Sequence, residues 1–330
     1  MIRWGIIGCG DVTEVKSGPG FQKAQGSALA AVMRRDGAKA ADYAHRHGVA
    51  KSYDNADALI ADSNVDAVYV ATPPGSHEEL AMKVLRSGKP CYMEKPMSRN
   101  AAEGRRMVEA FDRMGVPFFV AYYRRAMPRF LKVKEILDSG QLGKINSINY
   151  RMATDQMMQA PNPMPWRYDP EIAGGGLLLD VGSHALDLLD FFLGPLTNVQ
   201  GSSKRTVKGF AVEDQIEMTF KIAGANGAAH WNFATKEPAD QYQITGQNGE
   251  IKFACFANEP ILLSINGKEE RFEIPHPPHV AQPLIQTVVD DILGRGNKCP
   301  STGASALRTQ EIMDKVLENF YGGREDGFWK

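Results

Sequence analysis

Short apolar runs alternate with amphipathic stretches over the first 122 residues of the chain. The runs lack alternating polar positions, which is typical of strands covered on both faces of a parallel sheet. Strand and helix are therefore expected to alternate as right-handed βαβ units in a doubly wound α/β sheet. The predicted strands span residues 2–7, 28–33, 67–71, 90–93 and 117–122, and the predicted helices span 38–47, 55–62, 76–87 and 100–114.

The pattern changes after Tyr122, where strands of alternating polarity follow two further helical runs. This alternation predicts one antiparallel sheet with a covered face and a face free to meet a partner. Asn-Gly pairs in ANG, QNG and ING are expected to form its tight hairpin turns. The predicted helices span 127–138, 177–193, 282–293 and 304–320, and the predicted strands span 144–151, 215–222, 228–234, 241–245, 251–255, 261–265 and 271–274.

Length and composition narrow the class of protein. A chain of 330 residues suits two domains, predicted here as a dinucleotide-binding domain at 1–123 and a substrate-binding and oligomerisation domain at 124–330. A net charge of −1 offers no basic field for nucleic acid, and no apolar run is long enough for a membrane span. Four scattered cysteines and no signal-peptide pattern predict a cytoplasmic protein with reduced thiols and no metal site.

A glycine-rich loop follows the first predicted strand directly. Gly8 would allow a tight turn, and Gly10 would let a pyrophosphate approach the backbone at the start of a helix formed by Asp11 and Val12. The third glycine of the G-x-G-x-x-G pattern is replaced by Thr13. The segment still predicts a dinucleotide site, because it lies between an apolar strand and a βαβ series.

Two arginines end the second predicted strand, where an acidic residue would hold the adenosine ribose of NAD. Arg34 and Arg35 can instead bind the 2′-phosphate of NADP, since the planar guanidinium makes charge-assisted bonds to phosphate. The alternative is a solvated basic turn, with Asp36 as the ribose acceptor. The sequence therefore predicts NADP as the preferred cofactor and leaves NAD possible.

The carboxyl ends of the next two strands carry further candidates for the ligand crevice. Thr72 and Pro73 are expected to lie along the cofactor, and His77 either contacts cofactor or substrate or is only a residue of the first helical turn. Glu94 and Lys95 follow an apolar strand that would deliver them to the nicotinamide. The alternative for this pair is an ordinary surface ion pair.

Three polar residues share one face of the predicted helix 177–193. Asp180, His184 and Asp187 are spaced i, i+4 and i+7, and such groups are costly to bury for structure alone. They could form an acid/base relay, part of a carboxylate–histidine metal site, or a satisfied polar cluster in the core.

Together these segments resemble the glucose–fructose oxidoreductase / inositol dehydrogenase family. The resemblance implies a Rossmann domain and an α/β domain whose large, mainly antiparallel open sheet forms a homodimer or homotetramer. It also implies nicotinamide-dependent oxidation or reduction at a carbon of a sugar, cyclitol or related polyol. The matching motifs are GCGDV at 8–12, ATPPGSH at 71–77, EKP at 94–96, WRYDPEIAGGG at 166–176 and DVGSHALD at 180–187.

The same resemblance implies roles for individual residues. Lys95, Asp180 and His184 would be the catalytic set, with His184 as the preferred proton carrier because imidazole exchanges protons near neutral pH. Lys95 would orient the reacting oxygen, although the sequence leaves open which of the two takes the proton. Trp166 and Arg167 would reach the nicotinamide half of the cofactor.

Two alternatives to a polyol dehydrogenase or reductase remain at this stage. One is a lyase or glycosidase that retains NAD and oxidises its substrate transiently. The other is a non-catalytic nucleotide-binding regulator, against which the set Lys95, Asp180 and His184 argues.

Overall fold

The computed structural model describes residues 1–330, which divide into two compact units. The first unit comprises Met1–Ser98, Ala102–Met127 and Pro277–Leu307, and the second comprises Arg99–Ala101, Pro128–His276 and Arg308–Lys330. The sequence assigned everything after residue 123 to the second domain, and the structure differs for residues 277–307. This segment belongs to the first unit because Leu284, Ile285 and Val288 are buried in the same core as Trp4.

Strands and helices are numbered here in chain order. Strands β1–β14 span Ile2–Ile7, Ser27–Met33, Lys51–Tyr53, Ala67–Val70, Cys91–Met93, Phe118–Val120, Ile145–Ala153, Thr197–Lys204, Gln215–Ile222, Ala225–Asn232, Ala239–Gly246, Gly249–Phe253, Ile261–Ile265 and Lys268–Phe272. Helices α1–α11 span Asp11–Val15, Gly18–Lys23, Gly37–His47, Ala56–Ala61, His77–Arg86, Ala101–Met114, Pro128–Asp138, Pro170–Ala173, Ser183–Leu193, Gln282–Ile292 and Gly303–Tyr321. None of these helices is both long and apolar enough to cross a membrane.

The first unit is built on a parallel sheet of order β3-β2-β1-β4-β5-β6. Alternate residues of β1 enter different cores, since Trp4 packs in one cluster and Ile7 in another. On the first side Trp4 contacts Phe21 of α2, with ring centroids 4.9 Å apart. The doubly wound sheet predicted from the apolar runs is confirmed, because helices cover both of its faces.

The second unit is built on an open sheet of order β14-β13-β12-β11-β7-β10-β9-β8. All neighbouring pairs are antiparallel except β7 and β10, which run parallel, so the prediction of a mainly antiparallel open sheet is confirmed. Helices α7 and α9 cover one face, where the ring of Phe192 lies between those of Phe130 and Phe253. The opposite face exposes polar side chains at alternate positions, as predicted.

Two strands escaped prediction because their sequences carry little β signal. β3 has only three residues and lies at the sheet edge. β8 reads TNVQGSSK, which is polar and contains residues of low β-propensity, and it is also an edge strand. The segment is therefore a strand because it pairs with β9 at the edge of the sheet, and not because its residues favour β structure.

The Asn-Gly prediction for hairpin turns is confirmed at one of three places. Asn266 and Gly267 adopt φ of 50° and 79° between β13 and β14. Between β9 and β10 the turn residues are instead Ala223 and Gly224, with φ of 48° and 78°. Gly227 of the ANG segment lies inside β10, where a side chain would overlap the ring of Phe220. Gly227 is therefore needed so that the ring of Phe220 can pack against the strand, and an Asn-Gly pair in the sequence does not distinguish this role from a turn.

Candidate functional site

The glycine loop joins β1 to α1 in the first unit. Gly8 has φ of +93°, and a Cβ on it would lie 2.8 Å from Cγ2 of Thr72. A Cβ on Gly10 would meet nothing nearer than the carbonyl oxygen of Gly8 at 3.9 Å, so the space beside Gly10 is open. Asp11 and Val12 begin α1, and their amides have no acceptor inside the helix. The loop therefore offers a close backbone approach and free N–H donors, which fit a pyrophosphate.

Thr13 replaces the third glycine without distorting this loop. Its hydroxyl donates to the carbonyl of Gly10 at 2.8 Å and accepts from the amide of Gly10 at 2.9 Å. The hydroxyl of Tyr43 in α3 donates to the carbonyl of Thr13 at 2.8 Å. The crossover helix is interrupted, because α1 ends at Val15 and α2 starts at Gly18. The close approach usually provided by a third glycine occurs here at Gly18, which lies against Thr13 and Tyr43.

A partly exposed ion cluster fixes the far end of α1. Glu14 accepts hydrogen bonds from both terminal nitrogens of Arg46, at 2.7 and 2.9 Å, and lies 2.7 Å from Nε2 of His47. The bonds from Arg46 lower the pKa of Glu14 from 4.5 to about 2. The C-terminal turn of α3 thereby holds the helix that follows the glycine loop.

We expect Glu14 to make the free energy of unfolding depend on pH in acidic solution. Its pKa is lower in the folded chain, so its contribution is complete above about pH 4.5 and is lost as the pH falls towards 2. Glu14→Gln should lower the free energy of unfolding by up to about 1 kcal/mol at neutral pH, since partly exposed pairs contribute little more. Urea denaturation of both proteins over this pH range should show the difference vanishing in acid. Glu318→Gln, which removes an exposed surface pair, serves as control, and a pH-independent difference for Glu14→Gln would contradict the prediction.

The guanidinium groups of Arg34 and Arg35 are exposed at the end of β2 and make no hydrogen bond or ion pair in the structure. The charge of Arg34 reaches the glycine loop, because it partly opposes the burial that raises the pKa of Cys9 to about 11. Asp36 is engaged elsewhere. Its carboxylate accepts from the amide of Lys39 at 3.2 Å and caps α3. The end of β2 therefore carries two arginine side chains without a protein partner and one carboxylate, that of Asp36, which already caps α3.

Thr72 and Pro73 follow β4, and the buried ring of His77 contacts the turn that they form. The ring of His77 is completely buried, with Nε2 at 2.7 Å from the carbonyl of Thr72 and Nδ1 at 3.3 Å from that of Met97. Burial lowers the pKa of His77 to about 4, so the imidazole is neutral. His77 thus connects two loops and has no exposed surface. Of the two roles that the sequence left open, its burial favours that of a residue of the first helical turn over that of a ligand contact.

Glu94 and Lys95 follow β5, and the peptide bond after Lys95 is cis. The carboxylate of Glu94 accepts from the hydroxyl of Tyr69 and from the amide of Lys95, the latter at 3.1 Å. The same hydroxyl lies 3.3 Å from Oγ of Ser17, at the break between α1 and α2. Burial raises the pKa of Glu94. Glu94 is therefore not part of a surface pair but connects the Lys95 segment to the crossover break.

In the second unit, a single helical turn positions Trp166 and Arg167. Nε of Arg167 donates to Oδ2 of Asp180 at 3.3 Å, and its guanidinium lies 5.4 Å from the ring of Trp166. The ring of Trp166 is 38% exposed, so it remains available for contact. The structure thus brings three of the predicted site residues together.

The sequence predicted that Asp180 lies on a regular α-helix, and the structure differs. Leu178–Gly182 form a π-helical turn before α9 begins at Ser183. Such turns occur often at functional sites because they redirect one side chain. Asp180 keeps access to solvent, whereas His184 is 4% exposed and Asp187 is 1% exposed.

Several residues that hold this segment gave no signal in the sequence analysis. Glu213 is completely buried, and its carboxylate accepts from the amide of Gly176 at 3.1 and 3.2 Å. The hydroxyl of Tyr321, in α11, donates to the same carboxylate at 2.7 Å. Burial raises the pKa of Glu213 above its usual value. These partners are far apart in sequence, and no local pattern connects them.

Comparison with known proteins agrees with this geometry. Residues 2–122 match the model of an oxidoreductase family with an NAD-binding Rossmann fold, and residues 130–252 match the GFO/IDH/MocA C-terminal domain. Oxidoreductase P35 of Formosa agariphila is 40% identical over 322 residues, covering 95% of this chain and 97% of that protein. Trans-1,2-dihydrobenzene-1,2-diol dehydrogenase of Xenopus laevis is 25% identical over 279 residues, covering 83% and 82%.

Among solved structures, levoglucosan dehydrogenase in complex with NADH and levoglucosan has the same fold. It superposes with a TM-score of 0.84 at 21% identity and covers 96% of each chain. The open backbone at Gly10 and the free amides of Asp11 and Val12 fit the dinucleotide that the family binds. The chain belongs to the GFO/IDH/MocA family and is an NAD(P)-dependent oxidoreductase of two α/β domains.

Proposed function

We propose that this oxidoreductase prefers NADP and transfers hydride between nicotinamide and a hydroxyl-bearing carbon of a sugar, cyclitol or related polyol. The observation that carries the cofactor preference is the pair Arg34 and Arg35, whose guanidinium groups have no protein partner. Asp36, the alternative ribose acceptor, already caps α3 through the amide of Lys39. A 2′-phosphate at this strand end would meet two cations, and the neighbouring carboxylate of Asp36 is already bound by Lys39.

The proposed chemistry assigns a role to each catalytic candidate. Bound nicotinamide accepts or donates the hydride, and the chain must move one proton at the reacting oxygen. His184 carries this proton, while Lys95 orients the oxygen and stabilises negative charge on it. Asp180, held by Arg167 at 3.3 Å, orients a substrate hydroxyl.

The substrate class is supported by the names of related proteins. The diol dehydrogenase relative and the levoglucosan dehydrogenase neighbour are both named for substrates with adjacent secondary hydroxyls. We therefore propose a small polyhydroxylated substrate that presents neighbouring hydroxyls to Asp180 and His184. Levoglucosan and trans-1,2-dihydrobenzene-1,2-diol with NADP, and the matching ketones with NADPH, form the first panel to assay.

The cofactor preference is tested by titrating the protein with NADPH and NADH and following quenching of tryptophan fluorescence. We expect NADPH to bind at least tenfold more tightly, which corresponds to about 1.4 kcal/mol. The double variant Arg34→Ala, Arg35→Ala should lose this difference and keep NADH affinity. Arg113→Ala, an exposed arginine in α6, is the control. Equal or tighter NADH binding by the unaltered protein would contradict the preference and leave the arginines as solvated charges.

A further inference from the structure

The last nine residues, 322–330, leave α11 and fold into a compact tail. Gly322 and Gly323 adopt φ of 71° and 133°, which reverses the chain direction. Two turn hydrogen bonds close the tail, from the amide of Phe328 to the carbonyl of Glu325 at 3.1 Å and from Lys330 to Gly327 at 3.1 Å. This segment contains no recognised motif, and the function described above does not use it.

Arg324 is the anchor of the tail and is only 7% exposed. Its Nε donates to Oδ1 of Asp314 at 3.1 Å. Its two terminal nitrogens donate to two backbone carbonyls, those of Gly174 and Arg99, each at 2.6 Å. A planar guanidinium can satisfy three such acceptors at once, whereas a lysine ammonium cannot reproduce the fork.

The two carbonyls belong to chain segments that touch directly. Gly174 has φ of +85°, and a Cβ on it would lie 2.5 Å from both Cα and O of Arg99. The second carboxylate oxygen of Asp314 accepts from the amide of Ala101 at 2.6 Å. Arg324 and Asp314 therefore fix the segment 99–101 against the start of the glycine run 174–176.

Aromatic rings of the tail cover these contacts. The guanidinium of Arg324 lies 4.0 Å from the ring centroid of Phe328. That of Arg99 lies 4.0 Å from the ring centroid of Trp329 and donates to the carbonyl of Glu171 at 2.9 Å. The two rings lie over the guanidinium groups, and the bond from Arg324 to Gly174 is buried, which strengthens it.

We propose that Arg324 is a positioning residue that sets the segment carrying Asp180 and His184. Gly174 precedes Asp180 by six residues, and Arg99 follows Lys95 by four. The fork of Arg324 and the bond from Gly176 to Glu213 hold the first and last glycines of 174–176, and the π-helical turn starts directly beyond. This inference rests on the proposed catalytic role of Asp180 and His184.

The test compares Arg324→Ala, Arg324→Lys and Gly174→Ala with Lys315→Ala, a control that removes an exposed ion pair of α11. Hydrogen exchange of the full chain is followed in peptides covering 171–187, with β9 as internal reference. Turnover and KM are measured with the panel substrate that supports the highest rate. We expect faster exchange in 171–187, as in the contacting segments 99–101 and 322–330, but not in β9. The loss of kcat should be about 10²-fold, since small misplacements cost that much. The affinity for NADPH should not change.

Rescue separates positioning from general destabilisation. Guanidinium ion, at concentrations too low to denature, should restore part of the kcat of Arg324→Ala and not that of Gly174→Ala, where the arginine is present. Arg324→Lys should fall between the unaltered protein and Arg324→Ala. Gly174→Ala should reproduce the kcat loss, because it separates the same two segments.

Several results would overturn the inference. Unchanged exchange in 171–187, or faster exchange there with normal kcat, would show that the tail does not position the site. If exchange in Arg324→Ala rose as much in β9 as in 171–187, and guanidinium did not restore kcat, Arg324 would have a purely structural role. Full turnover of His184→Ala would instead overturn the proposed function, and the exchange measurements, which use no substrate, would still report whether Arg324 holds the segment.

Discussion

Replacing His184 by alanine is expected to lower turnover by about 10²–10⁴-fold, the range that proton transfer by a positioned side chain contributes. Lys95→Ala should cause a comparable loss, because the reacting oxygen would lack both orientation and a compensating charge. Neither side chain belongs to the glycine loop or to the β2 end, so the affinity for NADPH should remain within about twofold. Steady-state turnover with the panel substrates and fluorescence titration together measure both effects.

The choice of control decides what these losses mean. His230 lies on β10, and its side chain is 38% exposed on the face opposite the helices. His230→Ala should therefore leave turnover unchanged. Because His184 is buried, His184→Ala should lower the unfolding midpoint, so turnover is compared at a temperature at which all three variants are folded. If Lys95→Ala and His184→Ala both retained normal turnover, the catalytic assignment would be wrong. If only one of these two variants lost the pH dependence of kcat, the residue replaced in that variant would be the proton carrier.

Much of the architecture was predictable because burial imposes simple patterns. Apolar runs without polar positions identified β1, β2 and β4, and alternation identified β9 and β13. Two of the four edge strands, β3 and β8, escaped, since a strand such as β8 pairs on one side only and needs no apolar composition. The return of α10 to the first unit also escaped, because an amphipathic helix does not encode which core it will join.

The candidate site was predictable where chemistry is concentrated in a short motif. Gly8 and Gly10, Glu94 and Lys95, and Asp180 and His184 each lie in one continuous segment. The residues that hold these segments come from elsewhere in the chain, as Tyr43 does for Thr13 and Arg324 for Gly174. Such contacts depend on three-dimensional packing, so a single sequence contains no spacing that reveals them.

His77 illustrates how a motif residue can leave two roles open. The motif ATPPGSH places it at the strand end that faces the ligand, yet its ring turns inward, with Nε2 2.7 Å from the carbonyl of Thr72 and Nδ1 3.3 Å from that of Met97, and the neutral ring donates to one of the two. A buried neutral imidazole with both nitrogens facing carbonyl oxygens acts on the loop rather than on a ligand. Sequence position can therefore assign a residue to a functional loop without deciding which way its side chain points.

Gly18→Ala is expected to weaken cofactor binding and to destabilise the first unit by about 1–3 kcal/mol, the usual cost of overpacking. A Cβ on Gly18 would overlap the carbonyl oxygen of Thr13 and the hydroxyl of Tyr43. We expect the overlap to displace the carbonyl of Thr13 or the hydroxyl of Tyr43, and either shift breaks the bond of 2.8 Å between them. Since Thr13 in turn holds Gly10, the displacement reaches the pyrophosphate loop.

Thermal unfolding and NADPH titration of Gly18→Ala measure the two effects, and Gly37→Ala is the matched control. Gly37 is an exposed first-turn residue of α3, and the nearest atom to an added Cβ is Cβ of Asp54 at 3.3 Å, on an exposed side chain that can yield. Alanine there should be neutral or slightly stabilising, because it lowers the entropy of the unfolded chain. If Gly18→Ala bound NADPH as the unaltered protein does, the loop would be independent of α2, and the close approach at Gly18 could not be what compensates for the missing third glycine.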